Sequence, residues 1–160
     1  MNYPYEEILD GETLLRKPPG PRHEVVCQRL HQLVAASIVG LATTRLLPPR
    51  SVVQLAPGTL VRPDLTLVTA ATGKAWLVAE VVDNVDHSPD TVVKKSVYED
   101  MRVPRVWMID PRYGNVEVYH GSQYGLSLKE ILANRDALTE RLIPQFKVSM
   151  KDLFVFEESD

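Results

Sequence analysis

The chain has 160 residues, of which 44% are apolar and 24% charged, with a formal net charge of −3. That balance gives a soluble, globular chain of single-domain size and excludes a disordered one. No apolar run approaches the length of a membrane span, and the N-terminus lacks the basic-then-apolar order of a secretory signal. The mild acidity argues against a nonspecific nucleic-acid coat, which would be strongly basic. The single cysteine, Cys27, can form neither an internal disulfide nor a zinc cage by itself, and is expected to pack on a helix. A reducing cytoplasm fits that count.

In chain order, Glu6 to Leu9 and Thr13 to Arg16 flank Asp10-Gly11, a strong hairpin signal. A Pro/Gly-rich break from Lys17 leads to Pro21. From there Val26, Leu30, Leu33, Val34 and Ile38 recur at helical spacing, which predicts a helix to about Val39, ended by Gly40. Pro48-Pro49 interrupts an extended segment. Strands are predicted over Ser51 to Leu55, Val61 to Val68 and Trp76 to Val82, the last apolar enough to be buried on both faces. Asp83 to Pro89 reads as a polar loop, and Asp90 as the cap of a helix from Thr91 to about Arg102. Arg105 to Ile109 and Val116 to Tyr119 follow as strands, with a turn at His120-Gly-Ser122. A strand is expected near Leu138 to Ile143. Ser149 is an N-cap candidate for a short helix from Met150 to Phe154. The order predicts one domain: an α/β fold with a central mixed β-sheet flanked by helices.

The chemistry concentrates between Arg62 and Asp110. Asp64 and Glu80 lie on predicted strands and Lys94 on the predicted helix between two of them. Two carboxylates can hold a hard cation such as Mg²⁺, and an ammonium can stabilise charge on a phosphate or help activate water. Glu80 inside an apolar strand needs a partner or a metal; a buried ion pair is the plain alternative. Tyr98 shares a helical face with Lys94 and is either a core aromatic or a group that orients the lysine. Lys95 is assigned to solvent. Glu7 and His23 are candidate supporting groups, against the plain readings of a solvated Glu and a locally bonded His. His87 with Asp83, Asp86 and Asp90 lacks the Gly and final Glu of a calcium loop and reads as a solvated cluster.

Taken together, Glu7-Ile-Leu-Asp-Gly-Glu12, His23, Arg62-Pro-Asp64, Ala79-Glu-Val-Val82, Asp90-x-x-x-Lys94-x-x-x-Tyr98, Val103-Pro-Arg-Val-Trp-Met-Ile-Asp110-Pro111, Leu142-Ile-Pro144 and Lys151-Asp-Leu-Phe154 form a pattern. In order and spacing it resembles the Uma-type family, the putative restriction endonucleases of the PD-(D/E)XK nuclease superfamily. The resemblance implies a restriction-endonuclease-like fold and a metal site made by Asp64 and Glu80. It also implies that the lysine of the Glu-x-Lys position, where this chain has Val82, has moved to the helix as Lys94. Family members usually carry Ser shortly after the Glu; here Asp83-Asn84 stand there and Ser88-Pro89 come late.

The leading expectation is an endonuclease hydrolysing DNA phosphodiester bonds. Asp64, Glu80 and the Val81 carbonyl would hold Mg²⁺, with Mn²⁺ able to substitute, and Lys94 would act on water and phosphate. Expected partners are DNA as substrate and a second copy of the chain in a homodimer, with no membrane. The alternatives are a noncatalytic nucleic-acid-binding or regulatory module that keeps the fold, and a metal hydrolase of small phosphodiesters.

Overall fold

The computed structural model describes residues 4–18, 20–82 and 87–156; for 87–90 only the backbone is described. The Asp10-Gly11 hairpin forms as expected. Both residues take positive φ (52° and 80°), so the turn twists with its strands β1 (Tyr5–Leu9) and β2 (Glu12–Arg16). Helix α1 (Pro21–Ser37) starts at the proline and buries Val26, Leu30 and Val34. Strands β3 (Thr44–Leu46), β4 (Val53–Ala56), β5 (Thr59–Val61), β6 (Leu65–Thr69) and β7 (Ala75–Val81) follow. Helix α2 (His87–Asp100) leads to β8 (Arg105–Asp110), β9 (Asn115–Ser122) and β10 (Gly125–Leu132). The chain then forms β11 (Ala137–Thr139), β12 (Lys147–Ser149) and α3 (Met150–Leu153). The Ser149 hydroxyl caps α3 by accepting from the Asp152 amide at 3.0 Å.

The centre is a six-stranded mixed sheet in the order β10-β9-β8-β7-β6-β3. Of its pairings only β7 with β8 is parallel, and α2 supplies the crossover that such a pair requires. A four-stranded sheet, β2-β1-β5-β4, stands beside it, and β11 pairs with β12. One face of the large sheet packs Leu65, Leu67, Leu77, Ala79 and Val81 against α1 and a Trp107–Phe146 stack, whose ring centroids are 5.5 Å apart. Val78, Val106, Met108 and Tyr119 fill the other face under Tyr98 of α2 and meet Leu9, Val53 and Val61 of the small sheet.

Four expectations are corrected. The strand read over Val61 to Val68 is two strands in two different sheets, because Pro63 has no N–H for a ladder and the chain changes sheets at Arg62–Asp64. Helix α2 begins at His87, so Asp90 lies inside the helix instead of capping it; residues 83–86, and the side chains of His87 and Asp90, lie outside the described residues. His120-Gly-Ser122 is strand, not turn. The turn falls at Gln123-Tyr124, two residues with no Asn-Gly or Asp-Gly signature, and β10 returns from it unannounced. The strand near Leu138 to Ile143 ends at Thr139.

Gly121 was misread for a physical reason. A Cβ there would stand 2.2 Å from the Val103 carbonyl oxygen, and its N–H donates to the Pro104 carbonyl at 2.9 Å. The glycine lets the chain entering β8 lie against β9. Gly121→Ala is therefore expected to lower stability by about 1–3 kcal/mol or more through overpacking on rigid backbone. Gly40→Ala, with open space around it, should stay within about 0.5 kcal/mol. Denaturant melts of the two variants check this; equal losses would refute the close-approach account.

Candidate metal and phosphodiester site

The site forms where the two sheets, α1 and α2 meet. Leu65 pairs with Ala79 across β6 and β7, so one residue further puts Asp64 across from Glu80. Asp64 itself precedes the strand. Its Oδ2 accepts the Val81 N–H at 2.8 Å, doing what a ladder carbonyl would do. Glu80 points to the face opposite Ala79 and Val81, toward α2 and the small sheet.

Around Glu80 the groups are Lys94, Tyr98 and Glu7. The Lys94 ammonium lies 3.1 Å from Glu80 Oε2 and 2.9 Å from Glu7 Oε1. The Tyr98 hydroxyl donates a short hydrogen bond to Glu80 Oε1. Glu7 also accepts from Arg16 Nε at 2.9 Å and from the Arg62 backbone N–H at 2.7 Å. Lys95, assigned to solvent from the sequence, is half-buried instead: its ammonium lies 5.3 Å over the Tyr119 ring and donates to that hydroxyl at 3.4 Å. One helical step thus separates a lysine at the carboxylates from one at an aromatic ring.

Around Asp64 the groups come from α1 and from the loop after β3. His23 Nε2 is 3.2 Å from Oδ2. Arg50 Nε is 3.2 Å from Oδ1 without hydrogen-bond alignment, so both atoms stay unpaired. Arg50 also bonds Glu24 and lies 3.2 Å from His23 Nδ1. The His31 Nε2–H donates to the Asp64 carbonyl at 2.7 Å, and the Cys27 thiol approaches the same oxygen at 3.7 Å. The structure therefore forms two adjoining groups joined through the β6–β7 pairing: Glu80 with Lys94, Tyr98 and Glu7, and Asp64 with His23 and the Val81 amide. It adds Arg50, Arg16, His31 and Glu24, which the sequence reading passed over. His23, Cys27 and His31 had a signal, a four-residue spacing on one helix. Arg50, buried at positive φ (56°) after two prolines, had none.

Burial sets the electrostatics: Glu7, Asp64, Lys94 and Glu80 are 1%, 3%, 4% and 6% exposed. Burial pushes the Asp64 carboxyl up, but His23, Arg50 and the Val81 amide outweigh it and hold it below the ordinary carboxylate range. Burial also opposes Glu7, and Lys94, the Arg62 amide and Arg16 together bring it down. His23 is raised: burial disfavours its charge, and Asp64 more than restores it. Glu80 goes the other way, up to about 7. Burial leads, Lys94 opposes, and the charges of Asp64 and Glu7 reinforce the rise. Three carboxylates in one dry volume cannot all ionise equally, and Glu80 keeps its proton longest.

Carboxylate oxygens such as those of Asp64 and Glu80 are the donors that a hard divalent cation takes. Asp64 Oδ1 is a buried oxygen with no hydrogen bond, and added positive charge would relieve the repulsion that raises Glu80. Among the described residues, the group of three ligand-type side chains close enough to hold a metal ion is His23, Cys27 and Asp64.

The raised Glu80 makes a stability prediction. Between its ordinary value of 4.5 and about 7, the unfolded chain has released this proton while the folded chain still holds it. Glu80 thus contributes a loss of stability as pH rises through that window, on the order of 3 kcal/mol. Glu80→Gln should remove this component. Urea unfolding of both proteins near the two ends of the window measures it, and parallel pH dependences would show that Glu80 is ionised throughout.

Comparison with known proteins places the fold. A crystal structure described as a putative nuclease belonging to DUF820, from Anabaena variabilis ATCC 29413, is similar with a TM-score of 0.78 at 17% identity; the match covers 94% of this chain and 90% of that one. At that identity the likeness shows a shared fold. A cryo-EM structure of a DrdV–DNA complex is similar over 69% of this chain and 12% of that one, at 16% identity and a TM-score of 0.40, too slight to carry an argument. No curated protein matches the sequence. The fold is restriction-endonuclease-like, as the sequence resemblance implied, and the family model Uma2, described as putative restriction endonuclease, matches residues 3–151. The chain belongs to the Uma2 family.

Proposed function

We propose that the protein is a divalent-metal-dependent endonuclease that hydrolyses phosphodiester bonds in DNA. The observation that carries this reading is Glu80 buried 3.1 Å from the Lys94 ammonium, with Asp64 across from it beside β6, one carboxyl held low and the other raised to about 7. Opposed environments of this kind are how proteins assign different roles to neighbouring acids. When bound, Mg²⁺, or Mn²⁺ in its place, would polarise the phosphate and lower the pKa of water.

The chain's own groups do the rest. Asp64 offers Oδ1 while His23 and the Val81 amide fix Oδ2. Glu80 supplies the second carboxylate, held in place by Tyr98, and the Val81 carbonyl is the third ligand of this reading. Lys94 keeps its ammonium between Glu7 and Glu80, where it orients water and offsets charge developing on the scissile phosphate. Glu7 is the positioning partner of that lysine. A cavity of about 280 Å³ opens on the same face, floored by Met108, the register partner of Glu80, with Lys95 and Arg112 among its walls. It gives the neighbouring nucleotide a place to lie. A homodimer presenting two such sites to a duplex belongs to the same proposal.

Two observations favour a second reading, a noncatalytic module: the buried charges find partners within the protein, and the net charge is −3. The two readings part on the response to metal. On the nuclease reading, millimolar Mg²⁺ or Mn²⁺ raises the melting temperature by mass action, and Asp64→Asn abolishes the rise. Labelled duplex DNA is cleaved with either ion and not by Glu80→Ala. No melting shift together with no cleavage would leave the module reading standing. Cleavage of small phosphodiesters alone would make the protein a hydrolase of that class.

Lys94 makes a separate prediction. Lys94→Ala should slow single-turnover cleavage by ~10²–10³ while metal affinity stays nearly intact, because the ammonium is not a ligand. Lys94→Arg keeps the charge but not the shape, and should rescue only in part. Lys95→Ala removes a contact to Tyr119 and should weaken duplex binding more than the chemical step. Circular dichroism of Lys94→Ala is needed as well, since the substitution leaves two buried carboxylates short of a partner. Equal losses of rate in the two alanine variants would mean general phosphate attraction in place of a catalytic lysine.

A further inference from the structure

One face of α1 carries His23, Cys27 and His31 at four-residue intervals, so the three side chains project in the same direction. All three meet Asp64: His23 at its carboxylate, Cys27 and His31 at its backbone carbonyl. A ring nitrogen of His23, the Cys27 sulfur and a carboxylate oxygen of Asp64 lie within 4.8 Å of one another, and all three residues are buried. Ligands at ~2.0–2.3 Å from a tetrahedral zinc ion stand roughly 3.3–3.8 Å apart. Side-chain shifts on the order of an ångström therefore close the set.

Two further observations point to an ion. Asp64 Oδ1 is buried and accepts no hydrogen bond, its ion-pair partner Arg50 Nε standing 3.2 Å away out of alignment. His23 Nδ1 lies 3.5 Å from Glu24 Oε1, the outer carboxylate that a metal-bound histidine ordinarily uses to fix its tautomer. Nδ1 also stands 3.2 Å from Arg50 Nη2. With Nδ1 protonated that contact gives way, and the guanidinium keeps Glu24 and Asp64.

We propose that His23 Nε2, Cys27 Sγ and the Asp64 carboxylate form a binding site for a thiophilic divalent transition metal of the zinc class, with the fourth position left to water. Sulfur and imidazole select zinc or cobalt, whereas Mg²⁺ prefers oxygen and its own waters. Thiolate and carboxylate together offset the charge of the ion, so Arg50 and Glu24 keep each other as partners. Burial holds the free Cys27 thiol well above its ordinary value, so it is inert until a soft cation replaces its proton, which leaves to solvent; the proton between His23 Nε2 and Asp64 leaves with it or passes to Nδ1, freeing Nε2 for the ion. The site stands without the nuclease reading. Only its competition with Mg²⁺ rests on that reading: Asp64 belongs to both ligand sets, so a zinc-class ion occupying this site removes Asp64 from Glu80 and inhibits.

Co²⁺ titration of the full chain, followed by absorption, tests the site. The chain has one cysteine, so a near-ultraviolet thiolate-to-cobalt charge-transfer band in the wild-type protein reports Cys27 without a variant. The band should form at one equivalent, disappear in Cys27→Ala and reverse with Zn²⁺. Glu24→Gln should weaken Co²⁺ about 10- to 100-fold, the usual effect of losing an outer-shell partner, and Glu80→Gln should leave the band in place. Absence of Co²⁺ binding, or binding with no charge-transfer band, overturns the site. So does a band that survives in Cys27→Ala. Millimolar Mg²⁺ should weaken Co²⁺ binding. A band indifferent to Mg²⁺ upholds the transition-metal site and counts against magnesium at Asp64 and Glu80.

Discussion

Three buried carboxylates, Glu7, Asp64 and Glu80, share one small volume, and the arrangement of the chain around them follows from the need to neutralise that charge. Each acid comes from a different segment, and each counter-charge from another: Lys94 from α2, Arg16 from β2, His23 from α1 and Arg50 from the loop after β3. The cluster pins the small sheet and both helices to the large sheet. Such a network is a poor way to stabilise a fold, because apolar side chains of similar volume do so at least as well.

The parallel pairing of β7 and β8 makes the cluster possible. A parallel pair needs a crossover, and α2 provides it while packing Tyr98 on the sheet. The same turn that buries Tyr98 sets Lys94 over Glu80, one strand from the start of the crossover. Val82, two residues after Glu80, lines the adjoining cavity. The small sheet closes the other side through Glu7, whose carboxylate ties the Arg62 amide to Lys94. It thereby links the first strand to the point where the chain changes sheets.

Asp64 is the hinge of the chemistry. One of its oxygens is committed to His23 and the Val81 amide, and the other has no hydrogen bond. It stands between Glu80, across the β6–β7 pairing, and the imidazole and thiol groups presented by α1.

Much of this was legible in the sequence. Asp10-Gly11 dictated its hairpin, the apolar spacing after Pro21 dictated α1, and an acid inside the apolar run of β7 announced a charge needing partners. Asp64, Glu80 and Lys94 could be picked out because residue type and local pattern constrain what each can be doing. The rest depended on contacts between distant segments. Pro63 looked like a residue within a strand, and only the fold shows two sheets diverging there. Gly121 looked like a turn because its reason for being glycine is a carbonyl eighteen residues earlier in the chain. Arg50 carries no local signal at all. A side chain's partners across the core are set by how the elements pack, and the state of Glu80 follows from charges that only tertiary structure brings within reach.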